Sequence, residues 1–299
     1  MKIIVTGSLG NISRPLTKEL IGKGHQVTVV SSNAGRTQEI EGLGAKAAIG
    51  LLEDLEFLKQ TFSGADAVYT MVPPANYFDH SLHLPSYYTR LGSNYAKAIE
   101  QSSVGRVVNL SSIGAHMDQG NGILLGTHLV ENLLNDLPSE VVISHIRPTE
   151  FYYNLLPQVH RIKNSGFMAS NIDGEVVNAW VSPLDIATVV GEEITSVTME
   201  RKVRYVASEE ITYDELVRIL GKAIGQPSLG WVTLMDEQMI EGLVAIGMNP
   251  TIAEEMTEMY AAINSGLLYE HYRLNRPSTM GQVKVRDFAE DFAAAYNRL

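Results

Sequence analysis

Lys2-Ile3-Ile4-Val5-Thr6-Gly7-Ser8-Leu9-Gly10-Asn11-Ile12-Ser13 opens the chain with a short β-branched run, two glycines three residues apart, and the start of a helical pattern. A strand that breaks into a glycine turn and resumes as a helix presents free backbone N–H groups and the positive end of the helix dipole. That arrangement receives a diphosphate. Gly7 can take a turn conformation that other residues resist, and Gly10 lets the backbone come close to a ligand. Gly7, Ser8, Leu9, Gly10, Asn11 and Ile12 are therefore the expected cradle of a dinucleotide. Ser13 stands where such turns usually carry a third glycine, and its Cβ predicts slightly looser packing of helix on strand.

Working outward, short apolar runs at 3–6, 27–30, 47–49, 67–72, 107–110 and 141–146 alternate with helix-length segments. This spacing predicts right-handed βαβ crossovers and a doubly wound, Rossmann-type parallel sheet over residues 1–150. Ile12, Leu16, Leu20 and Ile21 form one helical stripe, and Leu125, Leu129, Leu133 and Leu134 another; both read as core faces. After Pro148 the alternation weakens. Residues 151–299 predict a smaller, mostly helical lobe ending on a stripe of Phe288, Phe292, Tyr296 and Leu299, with a segment near 176–195 returning to the first domain. Such a lobe would cover the crevice at the strand ends, where a substrate or partner is chosen.

Composition narrows the function classes. Among 299 residues, 34 acids against 23 bases give a formal charge of -11, with no Lys/Arg cluster to draw nucleic acid or anionic lipid. The absence of cysteine excludes disulfides, thiolate catalysis and Cys-ligated metals. No run of eighteen apolar residues occurs, and the first apolar stretch is too short for a signal peptide, so the expected location is the cytoplasm without a membrane span.

The second strand ends in Ser31-Ser32-Asn33, where NAD sites usually place a carboxylate on the adenosine ribose, and Arg36 follows. Without that carboxylate the loop favours NADP(H), with NAD(H) the alternative. Arg36 either folds over the ribose 2′-phosphate or simply begins a solvated helix.

Four motifs in order carry a family resemblance: Thr6-Gly7-x-x-Gly10, Gly64-Ala65-Asp66-Ala67-Val68, Arg147-Pro148-Thr149-Glu150-Phe151 and Ser182-Pro183-Leu184-Asp185-Ile186-Ala187. The chain resembles the NmrA-like group of atypical short-chain dehydrogenase/reductases over most of its length. The resemblance implies that Met71, Val72, Pro73 and Pro74, and Ser111, Ser112 and Ile113, line the cofactor cleft, and that Pro148 and Thr149 lie near the nicotinamide. All follow strand ends, although a plain strand-ending turn would suit the same residues.

Standard enzymes of that superfamily use a Tyr-x-x-x-Lys pair for proton exchange. Placing Val130-Glu131-Asn132 as in NmrA-like sequences puts the pair on Ile123 and Thr127, which cannot do that chemistry. The remaining catalytic candidates are His128, Ser112 and Tyr152, each with an ordinary packing or capping role as the alternative. Asp79, His80 and His83 lack a fourth ligand, so no metal is expected. Two functions fit. One is an NADPH-dependent reductase of a small quinonoid or carbonyl compound; the other is a non-enzymatic nucleotide-responsive regulator acting through a protein partner.

Overall fold

The computed structural model describes residues 1–298; Leu299 of the expected C-terminal stripe lies outside the described residues. The strands are β1 (Lys2–Val5), β2 (Gln26–Ser31), β3 (Lys46–Ile49), β4 (Ala67–Thr70), β5 (Arg106–Leu110), β6 (Val142–Pro148), β7 (Glu150–Phe151), β8 (Met168–Ser170), β9 (Val177–Val181), β10 (Lys202–Val206), β11 (Glu209–Thr212) and β12 (Trp231–Thr233). The helices that matter for the site are α1 (Ser13–Gly22), α2 (Thr37–Gly42), α3 (Leu55–Phe62), α4 (Leu84–Glu100), α5 (Leu125–Asn135), α6 (Gln158–Ser165) and α7 (Pro183–Ile194). Five more follow in the C-terminal half, the last over Val285–Arg298.

Seven strands form one parallel sheet in the order β10-β6-β5-β4-β1-β2-β3. Every residue of β4 and β6 is buried, as expected where helices cover both faces. Strand order reverses at β1, with β2 and β3 on one side and β4, β5 and β6 on the other. The carboxyl ends of β1 and β4 therefore open the crevice in which doubly wound folds bind ligands. One face packs Leu16 and Leu20 of α1 with Ile186, Val190 and Ile194 of α7; the other packs Leu58, Tyr95, Val130 and Leu134. The helix α7 within segment 176–195 thus lies against the first domain. The sheet also continues beyond residue 150, because β10 pairs with β6.

The second lobe combines the three-stranded sheet β11-β9-β7, the pair β12-β8 and the C-terminal helices. Trp180, Tyr213, Tyr152 and Phe292 are fully buried in its core. Phe288 and Phe292 of the final stripe are buried there, and Tyr296 is half-buried against it. On α5 the expected leucine stripe is displaced. Gly126, Val130, Glu131 and Leu134 are the buried positions, whereas Leu125, Leu129 and Leu133 are half-buried. The helix is seated against α4, where a Cβ on Gly92 would lie 3.0 Å from Leu133 and 3.1 Å from Val130, so the contact admits only glycine without adjustment.

Candidate active site

The glycine turn between β1 and α1 is built as its sequence demands. Gly7 has φ 83°, and Ser8, with φ 54°, is the only non-glycine residue with positive φ among the described residues. The Gly10 N–H donates to the Gly7 carbonyl at 3.1 Å, and the Ser8 hydroxyl donates to Ser31 Oγ at 2.9 Å, tying the turn to the end of β2. Ser13 does not loosen the packing. It is 3% exposed, and its hydroxyl donates to the Thr6 carbonyl at 2.8 Å, sealing the end of β1. No acidic side chain occupies the first turn of α1, and its N-cap residue Ile12 supplies no acceptor, so the N–H groups there have no competing anion.

A cleft of about 680 Å³ runs from this turn across the switch point. Gly7, Ser8, Gly10, Asn11 and Ile12 line its centre, and Ser31, Ser32 and residues 50–53 line the side of β2 and β3. On the other side lie Met71, Val72, Pro73 and Pro74 after β4, and Ser111 and Ser112 after β5. The loop after β4 is held from behind: Tyr95 donates to the Met71 carbonyl at 2.7 Å, Tyr87 donates to the Pro73 carbonyl at 3.2 Å, and the Met71 N–H donates to Thr6 Oγ1 at 3.1 Å. Tyr77, Tyr88, Leu124, Thr127, Phe151 and Tyr153 close the far end. Phe151 and Tyr153 stack there with ring centroids 4.9 Å apart.

Several expected residues lie elsewhere. Leu9 is 6% exposed and packs in the core beneath α1. Asn33 caps the short turn Ala34–Arg36 by accepting from the Gly35 N–H at 2.8 Å. Arg36 pairs with Glu39 at 2.9 Å, and the same carboxylate holds Arg14, so neither guanidinium borders the cleft. Pro148 is buried at the end of β6, where its carbonyl accepts from the Ile113 N–H at 2.9 Å; Thr149 binds the Val206 carbonyl. Both bridge strand ends behind the cleft wall. His128 bonds the Ala115 carbonyl at 3.0 Å and Asn132 at 2.9 Å, away from the cleft. Tyr152 is 1% exposed between Trp180 and Phe288, a core residue; its neighbour Tyr153 is the one that borders the cleft.

The position of the missing Tyr/Lys pair also shifts. Thr127 lines the cleft, but Ile123 packs against Met248 and Ile252, and Leu124 takes its place. The cause is the tight turn Gly122–Leu124 before α5, which advances three residues per turn and rotates the face by about one position. Residues 50–53, Tyr77, Tyr87, Tyr88 and Leu91 were not among the expected cleft residues; the rule that ligands sit at carboxyl strand ends would have pointed to 50–53, which follow β3. His83 caps α4 by accepting from the Ser86 N–H at 3.3 Å, His80 bonds the Gly247 carbonyl and Asp79 accepts from Ser81.

Electrostatically the far end is plain. Burial holds Tyr77, Tyr87, Tyr88 and Tyr153 above the ordinary tyrosine pKa, helped by Glu255 at Tyr77 and Glu53 at Tyr87. None is an acidified phenol. Among the described residues that line the cleft, Glu53 is the one charged side chain, and no Lys or Arg appears.

Comparison with known proteins places this geometry. Residues 7–150 match the protein family described as NAD(P)H-binding. The chain is 24% identical over 260 residues to the NAD(P)H azoreductase of Xenophilus azovorans, covering 87% of this chain and 86% of that one. Its fold superposes on the NADPH complex of an NADPH-dependent quinone oxidoreductase from Escherichia coli with a TM-score of 0.80, at 16% identity over 97% of this chain and 99% of that one. A Citrobacter sp. triphenylmethane reductase complexed with NADP(H) gives a TM-score of 0.77, at 18% identity over 97% and 99% of the two chains. The matched residues 7–150 are the part of the chain that carries the glycine turn and strands β2 to β6 of the Rossmann-type sheet. Among the described residues, no helix is long and apolar enough to cross a membrane.

Proposed function

We propose that this protein is an NADPH-dependent reductase of small planar aromatic compounds, quinonoid ones above all, built on the NmrA-like plan without a Tyr/Lys pair. The observation that carries the proposal is the cleft itself, one cavity running from the glycine turn to an end walled by Tyr77, Tyr88, Phe151 and Tyr153. A flat apolar ring fits that wall. With no cation lining it, the cleft offers nothing to a carboxylate or phosphate on the acceptor. Similarity to an azoreductase supports the same substrate class.

The preference for NADPH rests on the end of β2, where Ser31 and Ser32 border the cleft without a carboxylate to repel a 2′-phosphate. Arg14 and Arg36 share Glu39 on the surface nearby, and exposed ion pairs of this kind hold weakly. Either guanidinium can exchange Glu39 for a phosphate.

When bound, the nicotinamide supplies the hydride. The chain's own contribution is positioning: the turn holds the diphosphate, Tyr95 and Tyr87 fix the loop after β4, and the aromatic end orients the acceptor ring and excludes water. Ser112 borders the cleft, and its hydroxyl has no hydrogen-bond partner among the described residues, so it is free to donate to an acceptor oxygen. A quinone gaining hydride then needs only a proton from solvent, because no lining side chain is tuned to deliver one.

The turnover number for quinone reduction should therefore stay flat, within about twofold, from roughly pH 6 to pH 9. Steady-state kinetics at saturating NADPH and quinone checks this. A tenfold fall per pH unit would reveal a titrating donor and contradict the mechanism.

A further inference from the structure

Ser111, beside Ser112, has a different environment. Its Oγ lies 2.5 Å from Glu131 Oε1 on α5. Arg147 on β6 grips the same carboxylate from two directions, Nε to Oε1 at 2.9 Å and Nη2 to Oε2 at 2.6 Å, and donates its remaining arm to the Tyr205 hydroxyl at 3.2 Å. The Glu131 and Arg147 side chains are 5% and 6% exposed. Burial raises the Glu131 pKa, but the Arg147 hydrogen bonds, the charges of His145 and Arg147, and the Ser111 hydroxyl outweigh it and leave the carboxyl below its ordinary range.

An ionised carboxylate has no proton to give, so the proton in the short bond belongs to Ser111 and points inward. A serine hydroxyl has one donor and two lone pairs. With the donor committed to Glu131, only acceptor capacity remains for the cleft that Ser111 borders. The two adjacent serines are thus opposite in polarity: Ser112 can donate, and Ser111 can only accept.

We infer that Glu131, oriented by Arg147, makes Ser111 a fixed acceptor for a hydrogen-bond donor on the nicotinamide half of the dinucleotide. Ser111 follows β5, on the far side of β4 from the adenosine loops after β2 and β3, which places it toward that half. The eligible donors there are the ribose hydroxyls and the carboxamide N–H. Glu131 is a positioning residue in this scheme. The inference rests on the reading that the cleft holds the dinucleotide.

Calorimetric titration of the full chain with NADPH, with its adenosine-side fragment 2′-phosphoadenosine 5′-diphosphate, and with the 3-acetylpyridine analogue of NADPH tests it. Ser111→Ala should weaken NADPH about tenfold, the loss of one hydrogen bond, while the fragment stays within about twofold. Ser111→Thr should restore NADPH affinity. Glu131→Ala, which removes the acceptor and frees the Ser111 proton to turn toward the cleft, should reproduce the Ser111→Ala loss with NADPH alone. If the carboxamide is the donor, the acetylpyridine analogue binds wild type and Ser111→Ala equally; if a ribose hydroxyl is, the tenfold difference persists. Unchanged NADPH affinity in Ser111→Ala, or equal losses for NADPH and fragment, would overturn the inference. Failure of the fragment to bind wild-type protein would instead overturn the dinucleotide reading beneath it.

Discussion

Gly7→Val should weaken NADPH binding by about a hundredfold while the far-ultraviolet circular dichroism stays unchanged. Gly7 sits at φ 83°, where an L-residue costs roughly 1–2 kcal/mol in conformation alone. Even a bare Cβ would lie 2.8 Å from Ser13 Oγ and 3.1 Å from the Met71 side chain. Ser13 cannot withdraw without breaking its bond to the Thr6 carbonyl, and Met71 cannot without disturbing the loop that Tyr95 and Thr6 hold. Valine's two further methyl groups add to the conflict, and together these effects reach the roughly 2.7 kcal/mol that a hundredfold change requires. The strain falls on the turn, because β1 pairs with β2 and β4 through residues that precede it. Calorimetric titration checks the affinity. Binding within threefold of wild type would remove the turn from the site.

Glu150→Gln should stabilise the protein at alkaline pH, by an amount that shrinks as pH falls through the acidic range and vanishes near pH 4.5. Glu150 lies on β7 in the second lobe, accepting from Asn178 Nδ2 at 2.7 Å and the Tyr213 hydroxyl at 2.9 Å, with no ion pair among the described residues. Burial pushes its carboxyl from the ordinary 4.5 up to about 7, against the opposing pull of the Tyr213 and Asn178 hydrogen bonds. Between those two values the folded chain keeps a proton that the unfolded chain has released. The stability this group contributes is full below about pH 4.5 and is lost as pH rises through about 7. Glutamine accepts the same two hydrogen bonds and never ionises. Urea denaturation should show the variant ahead by up to about 3 kcal/mol at about pH 8.5, with the two curves meeting near pH 4.5. Parallel curves across that range would contradict the assignment.

How much of this was legible in the sequence depended on whether local pattern or three-dimensional phase decided the matter. Five sheet strands announced themselves because a strand buried on both faces is a near-continuous apolar run, as in Val107-Val108 or Val142-Ile143, and the edge strand Lys46–Ile49 was legible from its Ala47-Ala48-Ile49 run alone. The seventh, Lys202-Val203-Arg204-Tyr205-Val206, did not. It is an edge strand whose charged residues pair with α7, Lys202 to Glu193 at 2.9 Å and Arg204 to Glu192 and Glu193 at 2.7 and 3.0 Å. Nothing within residues 202–206 says that a buried carboxylate waits on a helix eight residues earlier.

The glycine turn was readable because its chemistry is local. Arg36 carried two readings, and its ion pair with Glu39 could have been anticipated, because three residues is a spacing at which opposite charges meet on a helix. Tyr152 and Tyr153 could not be ranked from sequence, since which ring enters the core and which the cleft depends on the phase of the short turn Tyr152–Leu155. The same holds for Ile123 and Leu124. The opposite polarities of Ser111 and Ser112 required the position of Glu131, twenty residues away from the first of them, and could come only from the structure.

The most direct test of the account follows the near-ultraviolet absorbance of NADPH after mixing purified protein with menadione, an azo dye or cyclohexanone. The predicted result is enzyme-dependent NADPH oxidation with the quinone or the dye, slower with NADH, and none with the saturated ketone, which would need the Tyr/Lys pair this chain lacks. NADPH that binds tightly yet is oxidised by none of the three would contradict the reductase and leave a nucleotide-responsive regulator in its place.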